Sequence, residues 1–461
     1  MTTENSFDLI ILGSGPAGTR AAFRAAEAGL KVALVESGFL GGACLNVGCI
    51  PTKYLLGGTA ALPLLATQKK YKVAAGDITI SLEALQARKD RYIKGTRQAL
   101  EKQLREANIA LLLGRGLFDG PQSLIVKSKE GDQRLFFNKC IVATGSSPAS
   151  FPGLKPDGAN VYGSASLLSL TKAPESLIIV GAGAIGLELG EIFHRFGTKI
   201  ILADLAPRVL PGEDPEISAA VEAHHSREGW SIHVGRRIES LATAGGQAEL
   251  RFADGESIRA AISLVAVGRR SAASTLAPEK AGLALDAKGW LAVDEDLRCS
   301  EHVYAVGDVN GKTLLAHAAD HQARHAVDHI TGSAARHGGY TPPPMPSCVY
   351  GSMEVMRVGP ALKELQAKST ETLFQSHAPL AANAIAQSHG QPQGFVRILW
   401  QGETVAGVSA VGHGVSHLVS ASALLIGKKI QKNMPLPLIF AHPTLDEALE
   451  SAMVAPKGIV E

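Results

Sequence analysis

Cys44 and Cys49, with four residues between them, lie in the run Gly41-Gly42-Ala43-Cys44-Leu45-Asn46-Val47-Gly48-Cys49-Ile50-Pro51-Thr52-Lys53. Two thiols so spaced at a glycine-rich helix start can form a reversible disulfide. A helix N-terminus and the nearby Lys53 favour the thiolate. Half of a metal site and two small buried residues are the competing readings. A structural metal site wants four ligands. No second cysteine pair stands in the chain, because Cys140, Cys299 and Cys348 are far apart.

A second chemistry is written in glycine. Gly13-Ser14-Gly15-Pro16-Ala17-Gly18 follows the apolar run Phe7 to Leu12, and Gly181-Ala182-Gly183-Ala184-Ile185-Gly186 follows Leu177 to Val180. A dinucleotide pyrophosphate needs close backbone approach, free N–H groups and a helix N-terminus. An acid at the end of the next strand then takes a ribose hydroxyl. Those acids are Glu36 and Asp204, each 23 positions after the first glycine of its turn. Later strands also close alike, in Ala143-Thr144-Gly145 and Ala266-Val267-Gly268. Equal spacing in both copies indicates an internal duplication and two bound dinucleotides. Asp204, with no basic pair just after it, favours the unphosphorylated ribose of NAD over NADP.

These residues need strand–turn–helix units to position them. Ala-rich sequence to Ala28, closed by Gly29, predicts the first helix, and Lys31 to Val35 the next strand. Residues 81–107, with Leu82, Leu85, Tyr92, Leu100 and Leu104, predict a long amphipathic helix. Leu111 to Leu113, Leu124 to Val126 and Cys140 to Ala143 read as strands. In the second copy a helix is expected through Phe196, closed by Gly197, then a strand at Ile200 to Ala203. Beyond the stiff Thr341-Pro342-Pro343-Pro344 the texture changes. Phe395 to Leu399 and Val405 to Val408 read as strands and Ser416 to Ile426 as an apolar helix, hence a separate α+β domain.

Composition bounds the rest. Glycine supplies 49 of 461 residues, above the ~7% of average usage. Net charge is +2, and no basic run marks a nucleic-acid or membrane surface. Five sparse cysteines are no secreted disulfide framework. The first residues lack a signal-peptide pattern and no apolar run spans a bilayer, so a cytoplasmic protein is expected.

The cysteine run, with the first glycine turn before it, resembles the pyridine nucleotide–disulfide oxidoreductases. Tyr304-Ala305-Val306-Gly307-Asp308 is similar to that family's second flavin motif, and His442-Pro443-Thr444-Leu445-Asp446-Glu447 to its C-terminal active-site motif. Within the family, Leu315-Ala316-His317 and Gly186-Leu187-Glu188-Leu189 resemble the dihydrolipoamide dehydrogenase branch. The resemblance implies an α/β chain with two Rossmann-like domains, for FAD and NAD, and a C-terminal α+β dimerisation domain. Residues 1–150 and 271–340 would form the FAD-binding part, 151–270 the NAD-binding domain and 341–461 the interface domain.

It also implies roles. Cys44 would be the interchange thiol and Cys49 the thiolate facing the flavin. Lys53, paired with Glu188, would stabilise the reduced ring, and His442, oriented by Glu447, would be the base for the partner subunit's site. Asp308 would hold the ribityl chain. Gly13, Gly15, Gly18, Glu36, Gly42, Lys53, Gly116, Thr144, Gly145 and Ala316 complete the FAD side. Gly181, Gly183, Ile185, Gly186, Asp204, Ile238 and Gly268 form the NAD side. The implied reaction oxidises dihydrolipoamide on a lipoylated E2 acyltransferase or a glycine-cleavage H-type protein, in a homodimer. Another disulfide reductase, or a non-catalytic flavoprotein subunit, are the alternatives. His317, His321, His325 and His329 recur at ligand spacing along one helical face, but that helix packs beside the flavin in the family, so no metal is expected. Met353, His321 and His417 depart from the family pattern.

Overall fold

The computed structural model describes residues 5–333, 339–432, 434 and 438–460. It falls into two compact units. One comprises Met1–Pro51, Ala87–Ala149 and Gly268–Pro342, and the other Thr52–Gln86, Ser150–Val267 and Pro343–Glu461.

In the first unit, strands Ala110–Leu113, Val32–Glu36, Ser6–Leu12 and Gly131–Val142 lie side by side and parallel, with Val303–Ala305 added beside the last. Parallel strands buried on both faces read as continuous apolar runs. Val32–Glu36 is accordingly buried throughout. Helix Pro16–Glu27 packs on helix Ala316–Ile330, with Ala17, Ala21, Ala22 and Ala25 in one cluster with Ala319, Ala323 and Ala326. Side chains this small let the two backbones approach closely. Arg20–Asp320 at 2.5 Å and Arg24–Asp328 at 2.7 Å flank the seam.

The second unit repeats the plan. Ser231–His233, Lys199–Ala203, Ser176–Val180, Ile262–Val265 and Val161–Gly163 form a parallel sheet in that order. An antiparallel three-stranded sheet, Ile238–Ala244, Gln247–Phe252 and Ser257–Ala260, accompanies it. C-terminally, six antiparallel strands run in the order Pro346–Val349, Glu354–Val358, Thr404–Gly412, Gly394–Gln401, Leu373–Pro379, Gly458–Ile459. Helices Val419–Gly427 and Glu447–Val454 cover a core centred on the fully buried Trp400.

Several boundaries differ from the sequence expectation. The strand ending at Val142 starts at Gly131, because its polar first half pairs antiparallel with Ser123–Ser128. The second-copy helix stops at His194, and Phe196 lies in the turn closed by Gly197. The segment expected as one helix from Ser416 is a 3₁₀ turn, Val415–Leu418, leading into Val419–Gly427. Helix Ala61–Lys70 has no fully buried residue and no apolar stripe to announce it.

Candidate active site

The two glycine turns are built alike to the atom. Gly13 and Gly181 have φ of +98° and +118°, and a Cβ there would sit 2.5 Å from the Ala143 carbonyl oxygen and 2.3 Å from that of Ala266. A Cβ on Gly18 or Gly186 would lie within 2.0 Å of the carbonyl oxygen of Gly13 or Gly181. Glycine is therefore the only residue that closes either turn. Gly15 and Gly183, by contrast, face open space, as a cradle for a ligand requires. Each turn opens a helix, Pro16–Glu27 or Ala184–His194, whose first N–H groups have no partner within the helix.

The acids explain the 23-residue spacing. Glu36 accepts the Ser14 N–H at 2.8 Å and the Gly38 N–H at 2.6 Å. Asp204 accepts the N–H groups of Ala182 and Ala206 at 2.6 and 2.8 Å. In both copies the carboxylate is pinned beside the turn by backbone donors. The Ser14 hydroxyl adds a link: it donates to Glu36 at 2.6 Å and accepts the Gly41 N–H at 3.0 Å. The sequence reading missed Ser14, which ties the dinucleotide turn to the segment carrying Cys44.

That segment is two helices rather than one. Gly42–Val47 holds Cys44, Gly48 interrupts, and Cys49 opens Cys49–Gly58. Cys44 is half-buried and Cys49 exposed. Gly42 has φ +61°, and a Cβ on it would meet the Gly15 Cα at 2.8 Å, so the thiol segment rests directly on the first turn.

Other flavin-side candidates gather in the same unit. Asp308 lies in the turn Gly307–Asn310. Its carboxylate accepts the Ser146 hydroxyl at 2.5 Å, and Arg269 donates to that hydroxyl at 2.6 Å. Gln322 accepts the Gly307 N–H at 2.8 Å and the Asn310 amide at 2.9 Å, holding the turn from below. Ser146, Arg269 and Gln322 were not singled out in the sequence. Only the adjacency of Ser146 to Thr144-Gly145 hinted at it. Thr144 Oγ1 is buried without a hydrogen-bond partner, the state expected of a polar atom whose partner is a ligand. Ala316 begins the helix Ala316–Ile330. Gly145 takes φ +70° with open space before it. Gly116 packs against Leu12 and Val35. The open cradle, pinned acid and orphaned Thr144 hydroxyl fit FAD. On the second turn, Ile185 borders the helix start and the half-buried Ile238 packs under the sheet. Gly183 and Asp204 repeat the open cradle and pinned acid of the first turn, an arrangement that fits NAD, and Gly268, in the other unit, has φ +114° with open space before it.

Lys53 and Glu188 form an ion pair at 2.5 Å. Burial pushes the Glu188 carboxyl above its ordinary range, against the pull of Lys53 and of the Tyr350 N–H, which donates at 3.1 Å. In the same unit, His442 Nδ1 lies 2.8 Å from Glu447. A carboxylate only accepts, so Nδ1 carries the proton and Nε2 is the basic nitrogen. The His442 side chain is 80% exposed. The His442 bond, then the Thr444 N–H at 2.9 Å, hold Glu447 below the usual carboxylate range.

The histidine ladder is engaged by neighbours. His321 meets the Tyr340 hydroxyl, His325 and His329 face Asp296, and His329 also bonds the Tyr304 hydroxyl at 2.8 Å. No three-ligand metal group occurs among the described residues. Burial pushes the Cys140 thiol up, and the Cys299 thiol up to about 12, so both stay protonated. Among the described residues no helix is long and apolar enough to cross a membrane.

Comparison with known proteins agrees with this geometry. Dihydrolipoyl dehydrogenase of Chlorobaculum tepidum is 32% identical over 459 residues, covering 98% of this chain and 97% of that one. Dihydrolipoyl dehydrogenase of Bacillus subtilis is 32% identical, covering 99% of each. Among solved structures, LpdA from Mycobacterium tuberculosis superposes with a TM-score of 0.88 at 25% identity, over 96% of this chain and 98% of that one. The HOCl-induced flavoprotein disulfide reductase RclA from Escherichia coli shares the fold, with a TM-score of 0.85 at 24% identity, over 97% and 99% of the two chains. Residues 7–323 match the pyridine nucleotide-disulphide oxidoreductase family and residues 345–453 its dimerisation domain. The chain therefore belongs to the pyridine nucleotide-disulphide oxidoreductases, which use FAD and NAD(H).

Proposed function

We propose that the chain oxidises protein-bound dihydrolipoamide to lipoamide and reduces NAD⁺. The observation that carries the choice of nucleotide is Asp204, pinned by Ala182 and Ala206 where a ribose hydroxyl would bind. A carboxylate there favours NAD and opposes a 2′-phosphate. The full-length likeness to dihydrolipoyl dehydrogenases supports the substrate. Residues 1–150 and 271–340 hold FAD, 151–270 hold NAD and 341–461 form the interface domain.

In the reaction, His442 Nε2 takes the proton of one substrate thiol. The resulting thiolate attacks Cys44 Sγ in the Cys44–Cys49 disulfide and releases Cys49 as thiolate. The second substrate thiol then attacks its partner sulfur, closing lipoamide and freeing the Cys44 thiol. FAD, when bound beside the cysteine pair, would supply the two-electron relay between the reduced thiols and NAD⁺. Glu447 keeps the proton on Nδ1, so Nε2 stays available. Lys53, with Glu188, offers positive charge to the reduced ring. The exposure of His442 supports its service to the cysteine pair of a second copy in a homodimer.

The test is substrate choice. Purified flavoprotein is given either dihydrolipoamide with NAD⁺ or glutathione disulfide with NADPH. NADH production in the first mixture, with little turnover in the second, supports the reading; the reverse pattern replaces it with a reductase of another disulfide.

A further inference from the structure

Tyr350 makes several contacts that converge on the Lys53–Glu188 pair. The Lys53 ammonium lies 4.8 Å from the centre of the Tyr350 ring. The Tyr350 N–H donates to Glu188 at 3.1 Å, on the oxygen that Lys53 does not use. The Tyr350 hydroxyl lies beside the Cys348 side chain. Cys348 and Tyr350 are two positions apart at the end of strand Pro346–Val349, where period-two geometry puts both on one face. The backbone of Tyr350 is therefore anchored on Glu188, and its ring face receives the cation.

The pair needs such a guide. The Lys53 side chain is 37% exposed, and that of Glu188 only 6%. A four-carbon stem this accessible has other rotamers, and a surface lysine loses entropy when held in one. An electron-rich ring face supplies the restraint without neutralising the charge. Such a contact contributes about 0.5–1 kcal/mol at exposed sites and about 2 when desolvated. A half-exposed ammonium falls between, so a three- to tenfold effect is expected on any equilibrium that depends on where the ammonium sits.

We propose that Tyr350 is a positioning residue: its ring fixes the Lys53 ammonium, and with it the stabilisation of the reduced flavin. The inference rests on the role given above to Lys53 and Glu188, and it is independent of which disulfide is the substrate. Cys348 is a neighbour of the ring and no part of the proposed device: burial pushes its thiol up to about 11, which leaves it uncharged at neutral pH.

The experiment equilibrates FAD-loaded protein with a reference dye under anaerobic conditions. A Cys44→Ser, Cys49→Ser background ensures that flavin alone takes electrons. Tyr350→Phe keeps the ring and should leave the ratio of reduced to oxidised flavin within about twofold. Tyr350→Leu should lower that ratio about three- to tenfold. Should the leucine variant fail to fold, trifluorophenylalanine at position 350 keeps the shape but removes the electron-rich face, and should lower the ratio likewise. A fluorinated or leucine variant with the ratio of Tyr350→Phe overturns the proposal. Because no thiol substrate enters, failure of the dihydrolipoamide reading shows separately, as an absence of NADH formation by the parent protein.

Discussion

Ser14 donates both its backbone N–H and its hydroxyl to one oxygen of Glu36, at 2.8 and 2.6 Å. The second copy keeps the backbone half of this arrangement, from Ala182 to Asp204. The acid thus has a structural task before any nucleotide arrives. Glu36→Ala strands the buried N–H of Ser14, a loss of about 1–3 kcal/mol. Denaturant unfolding should show that loss, with weaker FAD retention. Asp204→Ala should instead raise the KM for NAD⁺ and leave FAD content unchanged.

Arg397 and Asp214 form a buried ion pair, with side chains 3% and 4% exposed. Arg397 also bonds the Ser409 hydroxyl. Removing one partner leaves an uncompensated buried charge. Arg397→Met should cost about 3–5 kcal/mol, while Arg397→Met with Asp214→Asn should recover much of it. Urea unfolding of the single and double variants reads both. Equal losses would show that the charge is not the cause.

His225 stacks on Trp230 at 4.2 Å, and its Nδ1 is buried without a partner. Burial lowers its pKa to about 4, so the folded chain holds it neutral. In the unfolded chain the ring takes a proton near its ordinary value of about 6.5. Between about 6.5 and 4 the unfolded state binds more protons, so stability falls as pH falls through this window. The loss approaches about 3 kcal/mol at 1.4 kcal/mol per unit. His225→Phe keeps the stack and removes this component. Unfolding measured across the window should slope less steeply in the variant; an identical slope contradicts the assignment.

His442 and Glu447 predict unequal kinetic effects. General acid–base groups contribute about 10²–10⁴ in rate, so His442→Ala should lose that much kcat. Glu447→Gln keeps a hydrogen-bond acceptor but no negative charge beside the ring. It should lose less, with the KM for NAD⁺ unchanged in both. Steady-state rates with dihydrolipoamide decide. A Glu447→Gln loss as large as that of His442→Ala would mean that Glu447 does more than orient the ring.

The duplicated turns were legible because their spacing is enforced by a hydrogen bond: Glu36 and Asp204 must reach back to Ser14 and Ala182. His442 and Glu447 were singled out by their resemblance to the family's C-terminal motif, and the structure brings them together across five positions of local chain. Ser146, Arg269 and Gln322 were not, since their bonds to Asp308, Ser146 and Gly307 span from 15 to 162 positions with no periodic trace. Tyr350 was not legible either, since its contact with Lys53 spans about two thirds of the sequence. The break at Gly48 escaped notice because glycine is common throughout this segment. Helix Ala61–Lys70 escaped because it buries no side chain fully.

The most direct test of the account is NADH formation from dihydrolipoamide and NAD⁺ by the FAD-loaded parent and its Cys44→Ser variant. The account predicts steady turnover by the parent. The variant should give none, while retaining its FAD and its fold. A parent that carries flavin yet forms no NADH, or a Cys44→Ser variant that turns over like the parent, would contradict it.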